Sequence, residues 1–183
     1  MKIYTKTGDN GTTGLMGCRL PKDDPIIEAM AFVDLLNTQI GMLYEEKVNG
    51  VEPLHNELIK ALQDDLMLIM GVMSGDKKCS QMASIRLRDR TMILESSIDM
   101  MTKELPELTN FIYPRGLWHV VRAYSRVAES KVVKVVKSLS SDSKVLYTST
   151  IIPYLNRLSD YLFTVARYKS EVETKWNINS NQD

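Results

Sequence analysis

Apolar residues recur at intervals of three and four along most of this 183-residue chain, and this spacing constrains the fold more than any other feature. It matches the 3.6 residues per turn of an α-helix, so the apolar side chains share one face of each segment. The clearest run begins after Pro53 and ends before Ser74, and it consists of Leu54, Leu58, Leu62, Leu66, Ile69 and Met73. The pattern predicts an amphipathic helix with one face buried in a core.

Four more segments show the same period. In chain order, the five predicted helices run from Pro25 to about Glu46, over 54–73, through 87–101 to a stop at Pro106, from Leu117 to a polar cluster at 138–143, and from Ile151 to about Glu173. Because the connections are short and no strand-like alternation is visible, we predict an all-α, five-helix up-and-down bundle. The chain is predicted to be one domain, with a Gly/Thr-rich loop at 1–23, the bundle at 24–176 and a frayed tail at 177–183.

Charge and composition narrow the classes of function. The 23 basic and 23 acidic residues cancel to a formal net charge of zero, which gives no electrostatic basis for nucleic-acid binding. Cys18 and Cys79 are too few for a disulfide framework and lack the spacing of metal ligands. No window approaches the roughly 18 apolar residues of a membrane span. We therefore expect a cytoplasmic protein that binds neither nucleic acid nor a membrane.

The first 23 residues differ in composition from the rest of the chain. Four of the nine glycines lie within ten residues, interleaved with threonines. Glycine exposes backbone N–H groups, the hydroxyls and the Lys6 ammonium add donors, and the Asp9 carboxylate could accept a divalent cation. These are the ingredients of a polyphosphate cradle. The segment is not a Walker A loop, since GxxxxGK[ST] is absent, and a Gly/Thr loop alone is a weak signal.

Polar residues interrupt the apolar pattern on three of the predicted helices. They are Asp34 and Asn37 on the first helix, His119, Arg122, Arg126 and Glu129 on the fourth, and Asn156 and Asp160 on the fifth. The four residues on the fourth helix are spaced by three and four, so they share one face. A solvated face with an internal Arg126–Glu129 pair is one interpretation of that stripe. Three such stripes, however, exceed what solvation alone predicts.

Five ordered blocks of sequence resemble the ATP:corrinoid adenosyltransferases of the PduO type, and together they span nearly the whole chain. The blocks are residues 3–13, 19–24 with Glu28-Ala29, 34–37 with Ile40-Gly41, 111–114 with 119–129, and 154–163. The resemblance implies a cobalamin adenosyltransferase-like bundle of the ferritin-like type, assembled as a homotrimer with active sites between subunits. It also implies that Co(I) of a reduced corrinoid such as cobalamin attacks the 5′ carbon of ATP and expels triphosphate.

The resemblance assigns residues to the nucleotide side of that site. The positions that match the family's phosphate-binding residues are Lys6, Lys22 and Arg126, together with Thr5, Thr7, Gly8, Asp9, Gly11, Thr12 and Thr13. Asn156 matches a position that holds the nucleotide. Glu28 and Glu129 would belong to the surroundings of the nucleotide and its Mg²⁺, with Glu129 as the metal ligand.

The resemblance also assigns residues to the corrinoid side. Asp34 and Arg122 look like an intersubunit ion pair, and they join Lys22, Arg126 and Phe111 in the implied catalytic set. Phe111 resembles the aromatic residue at the lower face of the corrin, where excluding the lower axial ligand makes Co(II) easier to reduce. The alternative for Phe111 is a packing role, in which the ring staples the fourth helix to the core.

Two departures from the family pattern define a second hypothesis. The stretch between Pro114 and His119 is shorter than in the family, and Val127 and Ser130 stand where the family commonly has arginines. Each lost contact to a leaving triphosphate would lower the rate by about one to two decades. The alternative is therefore a weak or inactive trimer that carries or senses a nucleotide or corrinoid. For an active enzyme, a corrinoid reductase is the expected protein partner.

Overall fold

The computed structural model describes residues 2–44, 52–170 and 174–176, and these residues form the predicted helical bundle. The helices are α1 (Pro25–Tyr44), α2 (Glu52–Met73), α3 (Lys77–Glu104), α4 (Leu117–Val136), α5 (Ser141–Leu146) and α6 (Ile152–Tyr168). A π-helical turn at Tyr147–Ile151 joins α5 to α6, so these two run on as the fifth helix of the bundle. The prediction of an all-α fold with five long helices is confirmed.

The core is built from the apolar faces that the spacing predicted. The fully buried side chains include Val33, Ile40, Leu62, Leu66, Ile69, Leu87, Leu94, Val121, Leu155, Leu158 and Leu162. Burying a large aliphatic side chain stabilises the fold by about 1.5–3 kcal/mol relative to exposing it. Helix α4 packs against α1 and α6, α3 packs against α6, and α2 lies against α1 and α3.

The bundle has two ends that differ in structure. Helices α1 and α4 are antiparallel, since Lys131 near the end of α4 donates to Glu28 in the first turn of α1 at 2.6 Å. The N-terminal segment lies at this end, where the Met16 N–H donates to the Ser74 carbonyl at 3.2 Å. We call it the hairpin end. The opposite end, called the Phe111 end, holds the α3–α4 loop (residues 105–116), the start of α4 and the end of α6.

The N-terminal segment is not a plain loop, and that prediction is wrong for its second half. Strands β1 (Thr12–Leu15) and β2 (Cys18–Pro21) pair antiparallel as a hairpin. Gly17, with a φ of +83°, provides the positive φ that the tight turn needs. Four-residue strands are too short to show a clear alternation of apolar and polar residues, which is why the sequence pattern missed them.

The fifth helix begins at Ser141, before the predicted start at Ile151. The predicted loop at 138–143 is therefore shorter and lies between Val136 and Ser141. The π-helical turn shifts the apolar face and hides the helical period of the preceding turns. At the other end the helix stops at Tyr168, short of the predicted 173. Residues 171–173, the end of the first predicted helix at 45–46 and the tail at 177–183 lie outside the described residues.

Helix α1 corrects one expectation about membranes. By length and composition alone it is apolar enough to cross a membrane, contrary to the expectation that no window approaches this limit. Its residues Ala29, Val33, Leu36 and Ile40 are fully buried in the core of the bundle. A core helix passes the same test, so the finding is weak support for a membrane span.

Candidate functional site

A cavity of about 630 Å³ lies at the Phe111 end, between the α3–α4 loop and the facing sides of α4 and α6. Its apolar wall is formed by Phe111, Ile112, Pro114, Phe163 and Trp176, and its polar wall by His119, Arg122, Arg126, Ser159 and Asp160. This size and this mixture of aromatic and polar groups are typical of a site for an organic ligand.

Phe111 is 79% exposed, although it is a large apolar side chain. It does not staple α4 to the core, so the packing interpretation of Phe111 is wrong. An aromatic ring held in solvent beside a cavity is instead available to a ligand.

Arg122 is fixed by aromatic and charged neighbours. Its guanidinium carbon lies 5.2 Å from the centroid of the Phe163 ring, which is a cation–π contact. Burial, followed by the nearby Arg126 charge, lowers the pKa of Arg122, while Asp160 acts in the opposite direction. Two guanidinium groups on one wall thus favour a ligand that brings negative charge or oxygen acceptors.

His119 stands one turn before Arg122 and is buried. Its ring meets Phe163 edge-on, with centroids 5.8 Å apart, and its Nδ1 has no hydrogen-bond partner among the described residues. Burial, and to a lesser extent the Arg122 charge, lowers the pKa of His119. The imidazole is therefore neutral at neutral pH.

The polar stripe on α4 continues from the cavity toward the hairpin end. It covers about 10 Å between Arg122 and Glu129, at 1.5 Å of rise per residue. Asn156 Nδ2 on α6 donates to Glu129 Oε1 at 3.3 Å, which brings together two of the predicted nucleotide residues. Both residues of the expected Arg126–Glu129 pair are described, and they form no ion pair. The expected ion pair is therefore wrong, whereas Arg126 itself is exposed, as a solvated face requires.

Glu129 is suited to a metal only if a ligand brings further oxygens. No group of three or more His, Cys, Asp and Glu side chains within the described residues could hold a metal ion. Mg²⁺ often binds through one or two protein carboxylates, with substrate phosphates and water as its other ligands. One Glu129 oxygen accepts from Asn156, and the other has no partner in the described part of the chain. The carboxylate therefore fits a magnesium ion bound to a phosphate chain.

The Gly/Thr loop at the hairpin end is exposed but held in a defined shape. One Arg19 Nη donates to the Thr7 carbonyl at 2.7 Å and to Thr12 Oγ1 at 3.0 Å. The Lys22 N–H donates to the Gly11 carbonyl at 2.8 Å. A Cβ placed on Gly8 would lie only 3.6 Å from Lys22 Nζ, so the ammonium group sits against the loop backbone.

Lys6 adopts a left-handed backbone conformation, with a φ of 58°. Such a conformation costs about 1–3 kcal/mol in a residue other than glycine, and it clusters at ligand sites. Lys6 and Lys22 both project from the exposed loop.

Glu28 is engaged by lysines that the sequence reasoning did not consider. Lys131 and Lys134 donate to its two oxygens at 2.6 and 3.4 Å. The hydrogen bond from Lys131 is the main cause that lowers the pKa of the Glu28 carboxyl. Lys131 also lies 5.1 Å from the centroid of the Phe32 ring. Glu28 therefore links α1 to α4, and the two lysines add positive charge at the hairpin end.

Within one chain, the predicted site residues fall into two separate half-sites. One comprises the cavity and the polar stripe, and the other is the Gly/Thr loop. Phe111, Arg122 and Arg126 line the cavity, and Glu129 lies farther along the α4 stripe, where Asn156 of α6 contacts it. None of residues 5–22 lines the cavity. Asp34 is exposed on α1 and forms no ion pair with Arg122 or with another described cation.

Sequence reasoning missed three features of the described residues. Arg19 lies in one of the five sequence blocks without an assigned role there, although its position after the Gly/Thr segment is a usable signal. Asp65 is fully buried and accepts from Arg86 at 2.6 Å and Arg90 at 2.8 Å. An acidic residue on the apolar face of α2 could have indicated such a pair. Trp176 reaches the cavity from the C-terminal segment, and no periodicity signals that contact.

Comparisons with known proteins find relatives along nearly the whole chain. A family model described as cobalamin adenosyltransferase matches residues 3–169. The corrinoid adenosyltransferase of Bacillus subtilis (strain 168) is 38% identical over 175 residues, covering 91% of this chain and 86% of that protein. The human corrinoid adenosyltransferase MMAB is 38% identical over 184 residues, covering 94% of this chain and 70% of that protein.

Solved structures show the same architecture. An arginine-to-lysine variant of a PduO-type ATP:corrinoid adenosyltransferase from Lactobacillus reuteri, complexed with ATP, gives a TM-score of 0.80 at 29% identity, covering 96% of this chain and 100% of that chain. A phenylalanine-to-alanine variant of a PduO-type enzyme from the same organism, complexed with cobalamin and ATP, gives a TM-score of 0.78 at 27% identity. That match covers 96% of this chain and 99% of the other.

Proposed function

This chain belongs to the cobalamin adenosyltransferase family, and from this premise we propose how its two half-sites carry out ATP:corrinoid adenosyl transfer. The protein transfers the 5′-deoxyadenosyl group of ATP to the cobalt of a reduced corrinoid, which gives the adenosylated corrinoid and triphosphate. The cavity at the Phe111 end is the observation that carries the proposal. It combines an exposed aromatic ring with two arginines, and the α4 stripe continues from it to Glu129, which Asn156 of α6 contacts.

The chemistry explains why the chain needs no activated serine or cysteine. Co(I) is itself the nucleophile, so the cobalt–carbon bond forms as the bond from the 5′ carbon to the triphosphate oxygen breaks. The protein has to align the 5′ carbon with the cobalt and stabilise the charge that leaves with the triphosphate. Arg126 lies at the point where the cavity passes into the polar stripe, which suits it to the leaving group.

The nucleotide side is assigned to the loop and to the distal part of the stripe. Lys6, Lys22 and the amides of residues 8–13 bind the phosphates, with Thr5, Thr7 and Arg126, while Asn156 holds the nucleoside. Glu129 would hold Mg²⁺ together with the phosphates. When bound, this ion neutralises charge on the leaving triphosphate. Glu28 acts through Lys131 and Lys134, which it orients at the hairpin end.

The corrinoid side is assigned to Phe111, Arg122 and Asp34. Phe111 occupies the lower face of the corrin and excludes an axial ligand there, which makes Co(II) easier to reduce. Arg122 is half-buried beside Phe163, and Asp34 is exposed without a cationic partner among the described residues of its own chain. We assign these two residues to an ion pair between neighbouring subunits. A corrinoid reductase in the cytoplasm would supply the reduced cobalt.

A homotrimer joins the two half-sites across its subunit interfaces. The reason is geometric, because the loop of one chain does not line the cavity of that chain. Mixing two impaired variants at an ATP concentration well below the parent's KM tests the arrangement. In trimers of Lys6→Ala and Arg126→Ala chains, about one shared site in four carries neither substitution, so the rate should rise above the average of the two variants on mixing. If the rate of the mixture stays at that average, the half-sites belong to one chain.

One assay tests the activity itself. The protein is mixed with ATP, Mg²⁺ and chemically reduced cob(I)alamin, and the corrinoid spectrum and triphosphate release are followed together. We expect equal amounts of adenosylcobalamin and triphosphate. Retained ATP binding without turnover would instead favour the inactive carrier or sensor, which no observation on the described residues supports.

A further inference from the structure

The C-terminal residues 174–176 are extended and pair with the α3–α4 loop. The Trp176 N–H donates to the Phe111 carbonyl at 2.7 Å, and the Tyr113 N–H donates to the Thr174 carbonyl at 3.0 Å. Ile112 and Lys175 are the antiparallel partners between these two bonds. These residues were predicted to belong to the helical bundle. They instead form a short extended segment, the strap (Thr174–Trp176), which pairs with the α3–α4 loop.

The strap reaches the cavity through one side chain. The Trp176 ring meets the Phe111 ring edge-on, with centroids 6.3 Å apart, and both rings line the cavity. Lys175 Nζ adds a hydrogen bond to Thr109 Oγ1 at 3.2 Å. The loop is thus tied to the strap at both sides of Phe111.

Phe111 needs such support because of where it lies. The α3–α4 loop has no helix and no strand apart from the bridge to Lys175. With 79% of its surface exposed, the Phe111 ring is not held by the core. A ring on an exposed loop samples several rotamers, and each lost rotamer costs free energy when a ligand binds. An edge-to-face contact selects one orientation before the ligand arrives.

We infer that Trp176 is a positioning residue that holds Phe111 in the orientation needed at the corrinoid cavity. This inference rests on the proposed function, in which Phe111 excludes the lower axial ligand of the corrinoid. Trp176 acts through its edge-to-face contact and through the backbone pairing of the strap. The C-terminal segment therefore contributes to the reaction from 65 positions beyond Phe111 in the chain.

A double-mutant cycle with Phe111→Ala tests the inference. Loss of the ring contact in Trp176→Ala should lower kcat by about two- to tenfold, the range expected for one aromatic pair. It should also lower the fraction of cob(II)alamin whose spectrum shows loss of the lower axial ligand in the presence of ATP. In the Phe111→Ala background, Trp176→Ala should change neither quantity further, because the residue through which it acts is gone.

Two further variants separate positioning from general stability. Trp176→Phe keeps an edge-to-face ring and should restore kcat to within about twofold of the parent. Tyr168→Ala is the matched control, because Tyr168 is an exposed aromatic at the same end of the bundle whose hydroxyl donates to Glu104. It should leave the cob(II)alamin spectrum unchanged. Melting temperatures of all variants show that each is folded.

The outcomes distinguish the inference from the function on which it rests. Equal effects of Trp176→Ala with and without Phe111 would overturn the inference, because Trp176 would then act independently. A response to Phe111→Ala with none to Trp176→Ala would also overturn it while leaving the proposed function intact. If Phe111→Ala itself changes neither kcat nor the spectrum, the proposed role of Phe111 and the inference both fail.

Discussion

The Phe111 end and the hairpin end both carry predicted ligand residues, but they hold them in different ways. At the Phe111 end, His119, Arg122 and Phe163 project from two packed helices and contact one another across a cavity. At the hairpin end, Lys6 and Lys22 project from exposed backbone that is held by Arg19 and by a few main-chain hydrogen bonds. The side chains of one half-site are held by packed helices, and those of the other are held by an exposed loop.

This difference shows which half-site is preorganised for its ligand. Side chains on packed helices keep their geometry without a ligand, whereas an exposed loop loses freedom when it closes on one. Substitutions at the Phe111 end should therefore change stability and corrinoid handling together. Those in the loop should change ATP affinity and leave the melting temperature almost untouched. Arg126 lines the cavity at the point where it passes into the polar stripe, and it should affect the reaction most.

The largest expected effect belongs to Arg126→Ala. A charge-assisted contact that strengthens as triphosphate leaves is worth about 1.5–3 kcal/mol, so kcat should fall by about 10- to 150-fold. The exposed Arg88 on α3 provides the matched control, and Arg88→Ala should keep the parent rate. Steady-state rates of triphosphate release at saturating ATP and cob(I)alamin give the comparison. An unchanged kcat with only a raised KM for ATP would assign Arg126 to ground-state binding.

Lys6→Ala should act on the loop alone. Loss of one ammonium–phosphate contact should weaken ATP binding by about tenfold, measured by calorimetry in the presence of Mg²⁺. Lys2→Ala is the control within the same exposed segment. Neither variant should move the melting temperature of the free protein, since Lys6 and Lys2 are both exposed. Unchanged ATP affinity in Lys6→Ala would contradict the assignment of this loop as a phosphate cradle.

Features that depend on residues close together in the sequence could be predicted at both ends of the bundle. The core faces were predictable because a helix places residues such as Leu62, Leu66 and Ile69 on one side through local geometry alone. The family resemblance grouped Phe111, Arg122 and Arg126 with Lys22 and Asp34, and the structure places only the first three at the cavity. These features depend on periodicity or on short motifs.

Features that depend on pairing between distant segments were not predictable in this way. The strap joins Trp176 to Phe111 through backbone hydrogen bonds, which any residue type can form. The hairpin and the π-helical turn are too short to leave a periodic pattern. Asp65 is buried only because Arg86 and Arg90 reach it from α3, and a single-helix pattern contains no such information.

Arg19→Ala tests the difference between the packed Phe111 end and the exposed loop. It should loosen the loop without removing a phosphate ligand. Its guanidinium donates to the Thr7 carbonyl and to Thr12. Without these exposed bonds, ATP affinity should fall by about two- to fivefold, since the loop would be ordered only on binding. The melting temperature should stay close to that of the parent. A fall in stability larger than that of the Arg88→Ala control would show that the loop belongs to the folded core.

The smallest expected effect concerns His119 and tests whether the Phe111 end is coupled to the core. Burial and the Arg122 charge lower the pKa of His119 below its ordinary value of 6.5. As the pH falls through 6.5, the unfolded chain therefore gains a proton before the folded chain does. Stability is complete above this value and declines below it, until the folded imidazole is also protonated.

Thermal unfolding between about pH 5.5 and 7.5 measures this decline. His119→Asn should flatten the dependence of the melting temperature on pH, whatever its effect at neutral pH. The chain has two histidines, so His55→Asn is the matched control for the removal of an imidazole. The opposite result would be a pH dependence that disappears in His55→Asn and persists in His119→Asn. Protonation of the imidazole at the cavity would then not destabilise the folded protein. The Phe111 end would then be as independent of the core as the loop at the hairpin end.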